Sequence, residues 1–177
     1  MALAGLSTPL AAQSGGKTGG PTGGLAFTLG GGWQVQAVEV GFARAVHGGP
    51  LAVVALTGRL GEFSDQGAIV GGTRGIMFGA TVAARTPTAH LADIGVDTSA
   101  NRLGVDVTLE ATGYVAAHTP LAVGSPWGAA SFLPGLRYGP PNGSQFALLV
   151  GPTVFFGQVT LVRPFLGVRF EAPLARR

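Results

Sequence analysis

The most regular alternation of apolar and polar side chains in the chain runs through residues 102–115. Odd positions from Leu103 to Leu109 are aliphatic, whereas even positions from Asp106 to Tyr114 carry carboxylates, hydroxyls and a phenol. Strict period-two alternation over this length predicts a β-strand longer than the usual five or six residues. A sheet with two such faces forms either half of a soluble sandwich or the wall of a membrane barrel.

Segments of the same kind follow one another from residue 24 onwards, separated by turns rich in glycine and proline. The predicted strands are residues 24–29, 33–45, 51–60, 73–85, 102–115, 127–138, 145–156 and 159–172. Residues 61–72, 86–101 and 117–126 are predicted loops, and the phase of 127–138 is ambiguous because Pro134 interrupts it. The count is eight strands if 24–29 is a strand of its own and seven otherwise.

The composition suggests that much of the exterior does not face water. Charged residues make up only 11% of the chain, against roughly 25% in average soluble domains, and the mean hydropathy is +0.41. No apolar run is long enough for a membrane-spanning helix, so a closed barrel is the remaining way to cross a bilayer. The 31 glycines and 12 prolines also argue against long helices.

The absence of cysteine excludes disulfides and thiolate metal sites. The net charge of +3 reflects a small arginine excess, and no basic patch is interleaved with aromatic residues. We therefore expect no nucleic-acid partner.

The first residues predict a processed N-terminus. Residues 1–13 have the character of a truncated export signal, with a merely flexible N-terminus as the alternative, and residues 14–23 form a glycine-rich linker by composition. Residues 11–18 match a relaxed phosphate-loop pattern, but the glycines and proline that follow cannot begin the helix that phosphate binding needs. The predicted barrel domain spans 24–172, and 173–177 form a short tail.

The chain resembles the small bacterial outer-membrane β-barrel domains, the porin-like grouping of eight-stranded barrels. The resemblance rests on Leu-Gly-Gly-Gly-Trp at 29–33, on the alternating strand 103–115 and on Phe-Leu-Gly-Val-Arg-Phe at 165–170. It implies an all-β, antiparallel up-and-down barrel of eight strands, embedded in outer-membrane lipid and inserted by the barrel-assembly machinery. Phe170 would be the closing aromatic that this machinery is thought to read, although this chain continues through residues 171–177.

If the aliphatic faces contact lipid, the polar faces enclose a narrow lumen. The charged side chains predicted to lie there are Glu39, Arg59, Asp106, Glu110, Arg163, Arg169 and Glu171. Charges of both signs should pair, since an unpaired buried ion costs several kcal/mol, and a barrel of eight strands is just wide enough to be filled by its own side chains. We expect a lumen closed by paired charges, with a narrow polar channel or small-ligand cavity as the alternative.

The aromatic side chains near predicted strand ends are typical of membrane-interface belts, although soluble barrels also carry them there. They are Trp33, Tyr114, Trp127, Tyr138 and Phe156.

No catalytic, cofactor or metal site is predicted. Glu39 and Glu110 lack a cleft in which to act as a carboxylate pair. His90 lies near two aspartates, Asp93 and Asp97, but their spacing matches no usual ligand set, which indicates a solvated loop.

A lipid-modifying hydrolase is a weak alternative. It would use His118, which neighbours Thr119, together with Ser125 or Ser131, but no motif links them.

The sequence therefore favours a non-enzymatic barrel of the bacterial outer membrane, monomeric or oligomeric, with a structural, adhesive or minor transport role. One alternative is a soluble periplasmic or secreted barrel that binds a small apolar ligand. Another is a subunit whose apolar exterior is covered by neighbouring chains.

Overall fold

The computed structural model describes residues 19–30, 33–46, 49–64, 74–95, 101–118, 125–140 and 143–172. The predicted export signal, the phosphate-loop pattern and the tail at 173–177 lie outside these residues. The strands are β1 (Gly19–Thr28), β2 (Gln34–Ala45), β3 (Val53–Ser64), β4 (Arg74–Arg85), β5 (Ala89–Ile94), β6 (Asn101–His118), β7 (Gly128–Gly139), β8 (Gln145–Phe156) and β9 (Thr160–Glu171). Within the described ranges, no helix has the length and apolarity needed to span a bilayer.

Eight of the strands close into an antiparallel barrel. Each pairs with the next in the order β1, β2, β3, β4, β6, β7, β8 and β9, and β9 returns to pair with β1. The predicted all-β, up-and-down architecture with eight strands is confirmed. Closure leaves no open sheet edge in the barrel wall, because every wall strand has a partner on both sides.

The first strand begins at Gly19, so residues 19–23 belong to the barrel wall rather than to the predicted linker. Gly19 pairs with Arg44 and Gly20 with Ala43. The ladder needs only backbone groups, and a Cβ added to Gly19 would lie 2.3 Å from the carbonyl oxygen of Ala43. Glycine at this position allows the two strands to approach closely, whereas the glycine-rich composition had predicted a linker.

The predicted loop at 86–101 is wrong, because it contains β5 and the start of β6. The 18-residue β6 pairs with β4 from Thr108 onwards and with β5 nearer its beginning, where Ala89 lies opposite Val105. A register shift between His90 and Ala92 interrupts the β5–β6 ladder. The two strands form a hairpin that extends past the wall, and all six residues of β5 are exposed.

The strand order also fixes which connections share an end of the barrel. We call the end that carries Gly19 and Ala172 the terminal end; the connections β2–β3, β4–β6 and β7–β8 also lie there. The other four connections lie at the opposite end.

Pro134 does not interrupt β7, which runs unbroken and presents Ser131 to the interior and Pro134 to the exterior. The ladder to β8 nevertheless has a gap between the pairs Ser131–Thr153 and Gly135–Leu149. Pro134 and Pro152 both fall in this gap and supply no N–H group. The alternation therefore continues through a local loss of hydrogen bonds.

Candidate functional site

The polar faces of the strands point into the barrel and the aliphatic faces point out. On β6, Asp106, Thr108 and Glu110 are buried, whereas Val105 and Leu109 are exposed on the outside. The strand that first indicated a two-faced sheet thus has its carboxylates in the lumen.

Four of the lumen charges form a closed ring that we call the central quartet: Glu39 of β2, Arg59 of β3, Glu110 of β6 and Arg169 of β9. Arg59 Nη2 lies 2.6 Å from Glu110 Oε2, and Arg169 Nε lies 2.7 Å from Glu39 Oε2. The ring is completed by Arg59 with Glu39 and by Arg169 with Glu110. Each guanidinium therefore bridges both carboxylates. Arg169 also binds Glu39 through two hydrogen bonds, Nε to Oε2 and Nη2 to Oε1, the bidentate geometry that makes an arginine–carboxylate pair strong.

Two threonine hydroxyl groups extend the hydrogen-bond network of the central quartet. Arg59 Nη1 donates a 2.9 Å hydrogen bond to Thr112 Oγ1, which lies 2.8 Å from Thr81 Oγ1. The guanidinium of Arg59 also lies 5.7 Å from the centre of the Phe165 ring, within the range of a cation–π contact. These contacts occupy donors that the carboxylates do not use.

A second ring, the terminal quartet, lies nearer the terminal end and consists of Arg85 of β4, Asp106 of β6, Arg137 of β7 and Glu171 of β9. Arg85 Nη1 is 2.8 Å from Glu171 Oε1 and Arg85 Nε is 3.7 Å from Asp106 Oδ2. Arg137 Nε is 2.8 Å from Asp106 Oδ2, and its Nη1 is 3.2 Å from Glu171 Oε2. Each quartet holds two arginines and two carboxylates, so both are neutral.

Six of the predicted lumen charges lie in these two quartets, and Arg163 does not. The Nη1 of Arg163 donates to the carbonyl of Val162 at 2.9 Å, and its side chain packs against Gly30 near the opposite end. Arg163 lies on the same strand as Arg169 and an even number of residues from it, so both were expected on the inner face. Arg163 nevertheless does not join the quartets, because the position of a residue along the barrel axis matters as much as the face of the strand that carries it.

Sequence reasoning missed two members of the terminal quartet, Arg85 and Arg137. Arg85 has the same parity on β4 as the inward-facing Thr81, so counting alternate residues to the end of the strand would have found it. Arg137 lies on β7, whose phase was left unassigned because of Pro134. Extending the alternation from Ser131 would have placed it inside.

An apolar plug fills the interior at the opposite end. Its members are Trp33, Val35, Ala37, Phe63, Met77, Ala129 and Phe155, with Tyr114 and Leu161 packed against them. Ring centres of Phe63 and Tyr114 are 5.0 Å apart, and those of Trp33 and Phe155 are 6.3 Å apart. The interpretation of Trp33 and Tyr114 as interface aromatics is wrong, because both side chains turn into the barrel.

Little space remains beside the quartets. A cavity of about 20 Å³ lies against Arg85, Arg137, Arg169 and Glu171, enough for about one water molecule. A second apolar cluster packs inside the wall and consists of Ala26, Leu133, Ala147, Leu149 and Phe165. The described interior is thus a packed core with a polar centre.

The exterior carries an apolar belt, which we define as the outward side chains of the eight wall strands. Each of these strands contributes exposed large apolar residues, among them Val40, Leu56, Val82, Leu109 and Val162. On β2 the belt is bounded by Gln36 and Arg44, which corresponds to roughly 20 Å along the axis of a tilted strand. Water-soluble monomers rarely expose contiguous apolar surface on this scale.

Aromatic side chains mark both edges of the belt. Trp127 stacks on Phe156 at the opposite end with ring centres 5.5 Å apart. Phe146 contacts Phe170 at the terminal end at 5.1 Å, where Tyr138 is also exposed. This arrangement resembles the aromatic girdles of membrane barrels.

Among the described residues, the candidate metal and hydrolase side chains do not assemble into a site. His90 Nε2 lies 3.5 Å from Asp93 Oδ2 on the exposed hairpin, and Asp97 lies outside the described residues. No group of three metal-binding side chains occurs in the described ranges. Ser131 lies inside the barrel, 2.7 Å from Thr153 Oγ1, whereas the His118 side chain and Thr119 lie outside the described residues.

The chain matches no protein-family model, and no curated protein is significantly similar to it in sequence. The charged interior and the apolar exterior of the barrel therefore carry the functional proposal.

Proposed function

We propose that the protein is a transmembrane β-barrel of the bacterial outer membrane, with a structural or adhesive role and a lumen closed to solutes. The observation that carries this proposal is the apolar belt around all eight wall strands, combined with a charged interior. Lipid is the environment in which that arrangement is stable, because a closed barrel leaves no backbone group of the wall unpaired at a sheet edge.

The cost of exposing the belt to water supports a lipid environment. Among the described residues of the eight wall strands, twenty-three large apolar side chains are more than a third exposed, and full burial of one such side chain contributes about 1.5–3 kcal/mol. Belt height and aromatic edges agree with an outer membrane, whose hydrocarbon layer is thinner than average.

The packed interior argues against a transport role. The two quartets and the apolar plug occupy successive levels of the lumen. Adhesion or anchoring needs only that the barrel hold its connections at the two membrane surfaces. A minor transport role would require these layers to open.

The soluble alternative needs the reverse orientation of the faces. A barrel that binds an apolar ligand inside would direct Val105 and Leu109 inward, but both are exposed on the outside. An assembly subunit remains a second candidate, because neighbouring chains could cover the same belt.

Flotation with lipid vesicles tests the proposal. The full-length protein, refolded from denaturant in the presence of vesicles, should float with them and should migrate differently on a denaturing gel before and after heating. A protein that stays in the aqueous phase without detergent as a monomer would overturn the membrane assignment. A detergent-free aqueous oligomer would favour the assembly subunit instead.

A further inference from the structure

A small cavity lies where the two quartets meet inside the barrel. Arg85 and Arg137 of the terminal quartet line it together with Arg169 of the central quartet. Its volume is about 20 Å³, which is space for about one water molecule or one ion of similar size. We propose that this cavity binds one halide ion, chloride in ordinary solutions, which joins the two quartets. The inference is independent of the membrane location proposed above, because the cavity lies inside the barrel.

The lining of the cavity is positively charged, although each quartet is neutral. The three guanidinium groups share the lining with one carboxylate, that of Glu171. The other carboxylates of the quartets, those of Glu39, Asp106 and Glu110, are not part of the lining. An anion in the cavity therefore lies nearer to the cations than to most of the carboxylates, and charges attract more strongly in the interior than in water.

The arginines of the lining keep N–H donors that the carboxylates do not use. A guanidinium carries five N–H groups. Arg169 directs Nε and Nη2 to Glu39 and Nη1 to Glu110, which leaves a second N–H on each Nη atom. Arg85 directs Nη1 to both oxygens of Glu171, so its Nη2 remains. These donors suit an anion, since a halide accepts hydrogen bonds and offers none.

Two threonine side chains complete the polar lining. Thr22 of β1 and Thr108 of β6 line the cavity and are only 5% and 4% exposed. Neither hydroxyl group makes a hydrogen bond with a described residue. Because a hydroxyl group without a partner in the interior is costly, donation to a halide in the cavity stabilises both.

The size of the cavity and its position limit the ion to a small one. The side chains of Arg85 and Glu171 keep 12% and 22% of their surface exposed, so solvent reaches the terminal quartet from the terminal end. Chloride and bromide are only slightly larger than a water molecule, whereas sulfate and gluconate exceed a cavity of about 20 Å³. The cavity therefore selects halides by size as well as by charge.

Chloride-35 NMR detects the bound ion directly. Full-length protein is folded in a zwitterionic detergent and checked by the difference in gel migration before and after heating. The wild type should broaden the chloride line, and bromide should reverse the broadening, whereas gluconate at the same ionic strength should not. Thr108→Val removes one hydroxyl group with little change of shape and should weaken binding roughly five- to tenfold. The control Thr153→Val, at a buried threonine outside the cavity, should bind as the wild type does.

A second variant fills the cavity and leaves every polar group in place. Ala83 is buried and lines the cavity, so Ala83→Val should abolish the excess line width. Urea unfolding in chloride and in gluconate at constant ionic strength gives an independent measure. The unfolding constant of the wild type should fall about tenfold when chloride is about ten times its dissociation constant, and Ala83→Val should lose this dependence.

The wild type overturns the proposal if its line width equals that of a detergent blank or does not respond to bromide, because the cavity then holds water only. Equal broadening by wild type and Ala83→Val would assign the halide to the protein surface, and equal weakening in Thr153→Val and Thr108→Val would remove the role of the cavity hydroxyl groups. Both results overturn the proposal. Since these measurements use detergent, failure of vesicle flotation affects only the proposed function, and failure of chloride binding affects only this inference.

Discussion

Glu39 and Arg169 lie 130 residues apart, and the 2.7 Å hydrogen bond from Arg169 Nε to Glu39 Oε2 joins the second strand to the last inside the barrel. Backbone pairing holds each strand to its neighbours, but this contact spans β1, whose Gly24 is paired with both residues. The central quartet therefore adds side-chain contacts between β2 and β9, between β3 and β6, and between β6 and β9, which share no backbone ladder.

Removing one carboxylate from the central quartet should destabilise the barrel strongly. Glu110→Gln leaves Arg59 and Arg169 with one carboxylate between them, and breaking a buried ion pair in this way costs about 3–5 kcal/mol. Urea unfolding of the vesicle-inserted protein, followed by the heat-dependent gel shift, measures the effect. Arg44→Gln at the exposed edge of β2 is the control, with an expected change within about 0.5 kcal/mol.

The double variant Glu110→Gln/Arg169→Gln distinguishes charge compensation from packing. It retains the neutral Arg59–Glu39 pair, so its loss of stability should be smaller than the sum of the two single losses. Additive losses would show that the ring does not act as one unit.

A charge on the belt should impair insertion according to its depth. Leu109→Arg places a cation near the middle of β6, where the cost in a membrane barrel is about 2–4 kcal/mol, whereas Val115→Arg, nearer the opposite end, should cost about 0–1 kcal/mol. Both side chains point outward, with exposed fractions of 50% and 82%. Vesicle flotation yield reports the difference, and equal yields for the two variants would contradict the proposed orientation in lipid.

Face and architecture could be predicted from the sequence because they follow from period-two alternation. Asp106 and Glu110 share a face with Thr108 whatever the rest of the chain does. Depth and partner choice depend on strand register, which alternation leaves open. Arg163 and Arg169 therefore looked equivalent, although only Arg169 reaches Glu39.

The β5 hairpin was missed for a different reason. Its residues face solvent on both sides, so no burial pattern distinguished Ala89–Ile94 from a loop. The extra strand is specified by its hairpin pairing with the overlong β6, which the polarity pattern of Ala89–Ile94 alone does not reveal.

Truncating the plug should weaken the barrel without opening it. Phe155 is completely buried among Trp33, Phe63 and Tyr114, and Phe155→Ala should cost about 3–5 kcal/mol. Planar-bilayer recordings should still show no ion conduction, because the two quartets lie beneath the plug. Steady conduction by this variant would show that the plug alone closes the lumen. The control is Leu148→Ala, on the outer face of β8.

Close strand contact should make Gly41 irreplaceable. A Cβ there would lie 2.1 Å from the carbonyl oxygen of Leu56, whereas one on Gly58 would come no closer than 3.8 Å to the carbonyl oxygen of Val40. Gly41→Ala should therefore prevent β2 and β3 from pairing, and Gly58→Ala should fold normally. The fraction of protein that shows the heat-dependent gel shift checks both, and normal folding of Gly41→Ala would contradict the observed packing.

Because β9 contributes one residue to each quartet, the two quartets favour one register of β9 in the sheet. A slip of β9 by two residues preserves its inward and outward faces, so the hydrophobic pattern cannot oppose it. The slip would nevertheless exchange Arg169 for Glu171 beside Glu39 and Glu110, placing three carboxylates around Arg59. Only the observed register leaves both quartets neutral. The pairing of β9 with β1, which closes the barrel, is therefore most stable in the correct register.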